Sequence, residues 1–166
     1  LQYNAEADEH ILVCLSSAPS NSKIIRTAAK MADAFSGNFT ALYIETPGFA
    51  SLDETNKKRL KQNMKLARQL GAKVETVSGD DVPYQIAEFA RLSGVTKIVI
   101  GRSAAVKKHL IRKPTLTEKL IAHAPNIDIH IIPDGVEVTH YKAPKDKKAS
   151  GFILSVHDLL VSVGLL

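Results

Sequence analysis

A chain of 166 residues with 45% hydrophobic content suits one packed domain and excludes a disordered polymer. Its single cysteine, Cys14, excludes a disulfide framework and any zinc site built from several thiolates. The net charge of +5 attracts anions, but with 5% aromatic residues and no Trp the chain has little to stack on bases, so no nucleic acid is expected as a partner.

Residues 1–9 are polar and acidic, lack the basic and apolar regions of a signal peptide, and read as an N-terminal linker, with the cytoplasm as the natural compartment. Ile11–Ser16 then predicts a strand, in which Cys14 is a small buried hydrophobe. Ser20 or Asn21 is placed to cap a helix whose Ile24, Ala28, Met31, Ala32 and Phe35 share one face, with Gly37 as its left-handed stop. Phe39–Ile44 predicts the second strand. Glu54–Leu70 predicts a helix with Leu60, Met64, Ala67 and Leu70 inward, ended by Gly71. Lys73–Val77 is the third strand, followed by a helix over Pro83–Leu92 with Asp80 or Asp81 as its cap and Ile86, Phe89 and Ala90 apolar. Lys97–Ile100 is the fourth strand. Thr115-Leu-Thr-Glu118 is a capping-box pattern opening a helix that buries Leu116, Leu120 and Ile121 before Pro125, and Ile127–Ile132 is the fifth strand.

This alternation predicts a doubly wound α/β domain over residues 10–134, a parallel sheet with helices on both faces. Residues 135–151 are polar and basic and read as a linker. Residues 152–166 are apolar apart from Ser155, His157, Asp158 and Ser162, and too short to span a bilayer alone. They read either as an amphipathic helix packing on the domain or a partner, or as the juxtamembrane start of a membrane segment after a lysine cluster.

Ligands of such sheets bind beyond the carboxyl ends of the strands, where strand order reverses. Two loops qualify. Ser16-Ser17-Ala18-Pro19-Ser20-Asn21 follows the first strand, where hydroxyls and amide hydrogens converge on an anion; the same residues serve equally well as helix caps. Gly101-Arg102-Ser103 and the loop to Thr115 carry Lys107, Lys108, His109, Arg112 and Lys113 toward a helix amino terminus, a phosphate funnel or a solvated basic loop. The chain lacks a G-x-x-x-x-G-K-[ST] loop, a G-x-G-x-x-G after the first strand and a G-x-S-x-G elbow. Ser16 and Ser17 stand where a receiver domain needs acidic residues for magnesium. The six histidines show no metal-ligand spacing, so no metal is expected.

The segments Val95–Ser103, Glu118–Pro125 and Ile131–Pro133 resemble the universal stress protein family. Ile11–Ser17, Ile24–Ala29, Phe39–Glu45 and Gly79–Val82 resemble more closely the universal stress domain of the potassium-sensing membrane histidine kinases of the KdpD family. The resemblance implies a five-stranded sheet of order 3-2-1-4-5, like that of the adenine nucleotide alpha hydrolases. It also implies a regulatory sensory domain, non-catalytic by itself, on the cytoplasmic side of an inner (plasma) membrane protein. Nucleotide-binding members carry G-x-x-G, nine residues and G-[ST]; here Gly101 is followed by Ala104 and Pro114-Thr115. Two glycines and an amide donor are lost where backbone approaches phosphate, which ranks ATP last among the expected ligands.

Some members of the KdpD family bind cyclic di-AMP through S-x-S, twenty residues, F-T-A-x-Y. Ser16, Phe39, Thr40, Ala41 and Tyr43 match that pattern, and Ala18 replaces its second serine. The resemblance thus implies a nucleotide second messenger, cyclic di-AMP first, with no required cofactor. Gly101, Arg102, Ser103, Lys107, Lys108 and Arg112 would hold phosphates. Ser16, Ser17, Ala18, Phe39, Thr40, Ala41 and Tyr43 would shape the base and ribose side. The expected partners are this messenger, other domains of the same kinase, a possible second copy, and the membrane through the C-terminal segment. The alternatives are an interaction module whose basic loop contacts an acidic partner, and an ATP-binding stress protein.

Overall fold

A computed structural model describes residues 8–102 and 113–133. The linker and apolar segment read at 135–166 lie outside the described residues. So do all but the last two residues of the 1–9 linker.

The sheet is built from β1 (His10–Cys14), β2 (Asn38–Glu45), β3 (Lys73–Ser78), β4 (Lys97–Gly101) and β5 (Asp128–Ile132). All pairings are parallel and the order is β3-β2-β1-β4-β5, as the resemblance implied. β1 is therefore central, with Leu12 in register with Thr40 of β2 on one side and Ile98 of β4 on the other. Parallel neighbours require a crossover between them, and the helices supply it: α1 (Asn21–Phe35), α2 (Glu54–Gln69), α3 (Val82–Leu92) and α4 (Leu116–His123).

Because side chains alternate along a strand, the sheet feeds two cores. Ile11, Val13, Ala41 and Val99 pack under α1 and α2 with Ile24, Ala28, Leu60 and Ala67. Leu12, Leu42, Ile98 and Ile100 pack under α3 and α4 with Ile86, Ala90 and Leu120. Covering both faces explains why these strands read as near-continuous apolar runs.

Helix ends follow local chemistry, with two revisions. Asp53 caps α2 by accepting from the Asn56 amide at 2.7 Å, and Asp81 caps α3 by accepting from the Tyr84 amide at 3.2 Å. Gly71 ends α2 with φ at +93°, as expected. At α1 the left-handed residue is Ser36 (φ 49°), one position before the glycine expected to fill that role. Gly37 is needed for a different reason. A Cβ there would run into the Glu9 carbonyl, whose carbon would lie 3.0 Å away, because the chain entering β1 crosses it and Asn38 N donates to Glu9 O at 2.8 Å. Ser20 stands at the N-cap position of α1 without a side-chain cap bond, and Asn21 turns inward instead.

Phe35 and Ile121, expected inside, are about half exposed at 50% and 51%. Each sits at the margin of its helix's apolar stripe, and the Phe35 ring lies 5.1 Å from the Lys97 ammonium, which supplies a cation–π contact instead of a core. A 3-10 helix over Pro47–Ser51 was not read from the sequence; Pro47 stands at its start, where a missing amide hydrogen costs nothing.

Gly37→Ala should destabilise the domain by about 1–3 kcal/mol, because the added carbon meets backbone and not a movable side chain. Urea unfolding should show a lower midpoint at an unchanged slope.

Candidate functional site

At the carboxyl ends of β1 and β4 the crossovers leave in opposite directions, and a cavity of about 540 Å³ opens between them. The loops at its rim contribute Ser16, Ala18, Ser20, Gly101 and Arg102, and the buried Asn21 also lines it. Its apolar wall comes from Leu15 and Ile24 on one side and Leu42, Ile44, Ile86, Ile100 and Leu116 on the other.

The β1–α1 loop is held from both sides by amide side chains. Asn21, almost fully buried, accepts from Ser16 N at 3.1 Å through Oδ1 and donates to Cys14 O at 3.0 Å through Nδ2. From α2, buried Asn63 donates Nδ2–H to Ser16 O at 2.8 Å, and Arg59 Nη1 donates to Ser17 O at 3.1 Å. Ser16 Oγ accepts from Ala18 N at 3.2 Å. The loop is thus set before any ligand arrives, and the amides of Ser16 and Ala18 are already engaged.

Of the residues expected at the site, the structure brings Ser16, Ala18, Gly101 and Arg102 to one cavity. Arg102 is exposed, and its amide donates to Ile132 O at 2.9 Å. Ser17 is half-buried and offers its carbonyl to Arg59 and not to the cavity. Ser103, Lys107, Lys108 and Arg112 lie outside the described residues.

The Phe39-Thr40-Ala41-Leu42-Tyr43 segment is β2, and its side chains divide between the two faces. Phe39 and Ala41 belong to the core under α1 and α2, and Tyr43 packs on the same face against the Phe49 ring, edge to face, at 6.1 Å. Burial, then the Glu45 carboxylate, hold the Tyr43 hydroxyl above its ordinary pKa. The Thr40 hydroxyl lies 2.7 Å from His10 Nε2, while His10 Nδ1–H donates to Ser93 O at 3.0 Å. Phe39 and Thr40 line a different cavity, of about 460 Å³, with His10, Asn38 and Lys73 at the amino ends of the strands. None of Phe39, Thr40, Ala41 and Tyr43 lines the larger cavity; Leu42 and Ile44 of the same strand do.

The amino terminus of α4 flanks the cavity through Leu116. Thr115 N donates to Glu118 Oε2 at 2.8 Å and Glu118 N donates to Thr115 Oγ1 at 3.2 Å, completing the capping box read from the sequence. This reciprocity uses two of the amides that a phosphate would seek, and it sets a carboxylate against the positive end of the helix dipole.

Asn63 and Arg59 were absent from the sequence reading. The signal for Asn63 was present, since it falls in the inward register with Leu60 and Ala67, where a polar side chain must find a buried partner.

Cys14, on the cavity floor, has its thiol pushed up to about 12 by desolvation. At pH 8 it should react with iodoacetamide on the order of a thousandfold more slowly than a free cysteine, and normally once urea unfolds the chain. Asn63→Ala should cost about 1–3 kcal/mol in denaturant unfolding, by stranding the Ser16 carbonyl.

No family model matches the chain. It is 33% identical over 162 residues to the sensor protein KdpD of Clostridium acetobutylicum, a match covering 93% of this chain and 17% of that protein. The sensor protein KdpD of Escherichia coli is 30% identical over 118 residues, 71% of this chain and 13% of that protein. The chain thus spans less than a fifth of the length of these relatives. Among solved structures, a universal stress protein in complex with cAMP superposes with a TM-score of 0.58 at 14% identity, covering 76% of this chain and 97% of that one. A universal stress protein from Archaeoglobus fulgidus gives 0.56 at 20% identity over 75% of this chain and 98% of that one. A complex with dAMP from the same organism gives 0.50 at 22% identity over 75% and 97%. With the sheet order 3-2-1-4-5 and this match in sequence across most of its length, the chain is a universal stress protein domain of the kind carried by the KdpD sensor proteins.

Proposed function

We propose that this domain is a sensory module that binds an adenine-nucleotide second messenger, cyclic di-AMP foremost, and thereby modulates a potassium-responsive histidine kinase of which it forms a cytoplasmic part. By itself it catalyses no reaction. The observation that carries this reading is the cavity at the switch point. Its volume of about 540 Å³ falls in the range of about 300–1,000 Å³ usual for small-ligand sites, its wall is apolar, and the exposed Arg102 is among its lining residues. The fold neighbours described as complexes with cAMP and dAMP support an adenine ligand.

The chemistry of the rim favours a diester over a triphosphate. The amides of Ser16, Arg102 and Thr115 are all occupied within the protein, and Glu118 faces the α4 dipole. A ligand carrying one charge per phosphate needs fewer free donors there than a polyphosphate tail does. In this reading Arg102 pairs with a phosphate, as would Ser103, Lys107, Lys108 and Arg112. Ser16, Ser17 and Ala18 shape the loop over the base, and the wall that β2 supplies comes from Leu42 and Ile44 and not from Phe39, Thr40, Ala41 or Tyr43. A regulatory ligand must also bind two kinase states unequally.

The occupied amides favour a second reading as well, an interaction module whose basic loop contacts an acidic partner. Calorimetric titration separates the two. The domain should bind cyclic di-AMP in preference to ATP and cAMP, and Arg102→Ala should weaken it by at least about tenfold, the loss of one charge-assisted hydrogen bond. A folded sample giving no heat with any nucleotide moves the reading to the interaction module. Glu118→Gln should strengthen ATP binding about two- to fivefold with little effect on cyclic di-AMP, because it removes a charge from the helix terminus and retains a capping oxygen.

A further inference from the structure

Among the described helices, the exposed cations without an acidic partner are concentrated on α1 and α2. On α1, Lys23, Arg26 and Lys30 follow at helical spacing, and all are exposed. On α2, Lys58, Lys61, Lys65 and Arg68 do the same. The inward residues of both helices share one core against the same face of the sheet, so the two stripes lie side by side and point away from it. None of these seven side chains forms an ion pair among the described residues. Of the acids on these two helices, Asp33 stands at the far end of α1 and Glu54 is engaged by Lys57 at 3.2 Å. On the opposite layer the charges balance, with Glu88 bonded to Arg91 on α3 and Glu118 beside Lys119 on α4.

Unpaired like charges at helical spacing repel one another and weaken the helices that carry them. A surface selected only for solubility mixes both signs. An anionic partner of extended shape offsets the repulsion. Five of the seven cations are lysines, compact point charges on flexible stems, whereas planar bidentate recognition of nucleic-acid phosphates favours arginine. Phe35, the exposed aromatic of α1, has its ring engaged by Lys97 and does not stand between the stripes. The sequence further carries Lys142, Lys145, Lys147 and Lys148 shortly before the apolar run at 152–166, a composition that seeks an anionic membrane interface.

We propose that the outer face of α1 and α2 lies against an anionic lipid bilayer surface and holds the domain there by charge. This holds whether or not the cavity takes a nucleotide. Each cation near such a surface contributes about fivefold in partitioning, so three reversals on α2 should weaken it by about a hundredfold or more.

The test is co-sedimentation of the whole chain with vesicles of phosphatidylcholine, with or without a one-third share of phosphatidylglycerol. Wild type should bind the anionic vesicles and release them as salt shortens the screening length. The triple variant Lys58→Glu, Lys61→Glu, Lys65→Glu should lose that binding while keeping its circular dichroism, since none of the three side chains has a partner among the described residues. A control with Lys142, Lys145, Lys147 and Lys148 reversed, the α2 lysines intact, should keep a clear preference for anionic vesicles. Equal binding to neutral and anionic vesicles, unchanged binding by the α2 variant, or complete loss in the control would overturn the proposal. Tighter binding to duplex DNA at equal phosphate concentration would overturn it in favour of a nucleic-acid surface.

Discussion

The constraint on which this structure rests is the complete burial of the middle of β1. Ile11, Leu12 and Val13 have no exposed surface, because β2 and β4 flank the strand and a helix layer covers each face. A strand so placed must send its side chains alternately into two separate cores, and every helix of the fold belongs to one or the other. It also makes β1 the strand where the chain reverses its direction of winding. The cavity opens there because the loops leaving β1 and β4 diverge, so the feature that stabilises the domain and the feature that suits a ligand share one origin.

The β1–α1 loop shows how that opening is kept in shape. At its start buried Asn21 engages the Ser16 amide and the Cys14 carbonyl, and buried Asn63 engages the Ser16 carbonyl. Buried amide side chains of this kind are stable only when every partner is in place, which makes the loop rigid and specific at the expense of its capacity for anions. The capping box of α4 has the same effect across the cavity. Charge for a ligand must then come from side chains at the rim, Arg102 among them.

α2 connects the two halves of this picture. Its inner side reaches the β1–α1 loop through Asn63 and Arg59, while its outer side carries four of the unpaired cations. One helix therefore both braces the loop that lines the cavity and carries a run of exposed cations.

The sequence by itself determined what depends on local periodicity and local hydrogen bonding. Alternating apolar runs and helical stripes gave five strands and four helices within a few residues of their observed ends, and Thr115-Leu-Thr-Glu118 gave its capping box. Gly71 was legible because a helix stop in the left-handed region is a local event. Gly37 was legible as a requirement, but its cause was not, since the Glu9 carbonyl that fills its space is distant in sequence. The tertiary structure alone decided which loops meet. It joined Ser16 and Ala18 to Gly101 and Arg102, and turned Phe39, Ala41 and Tyr43 into the core under α1 and α2, where they do not line the cavity. It also gave Asn63 a carbonyl to hold. The physical reason is that periods of two and of 3.6 residues record which face of an element is apolar, whereas neighbours across a sheet are chosen by the packing of the whole chain.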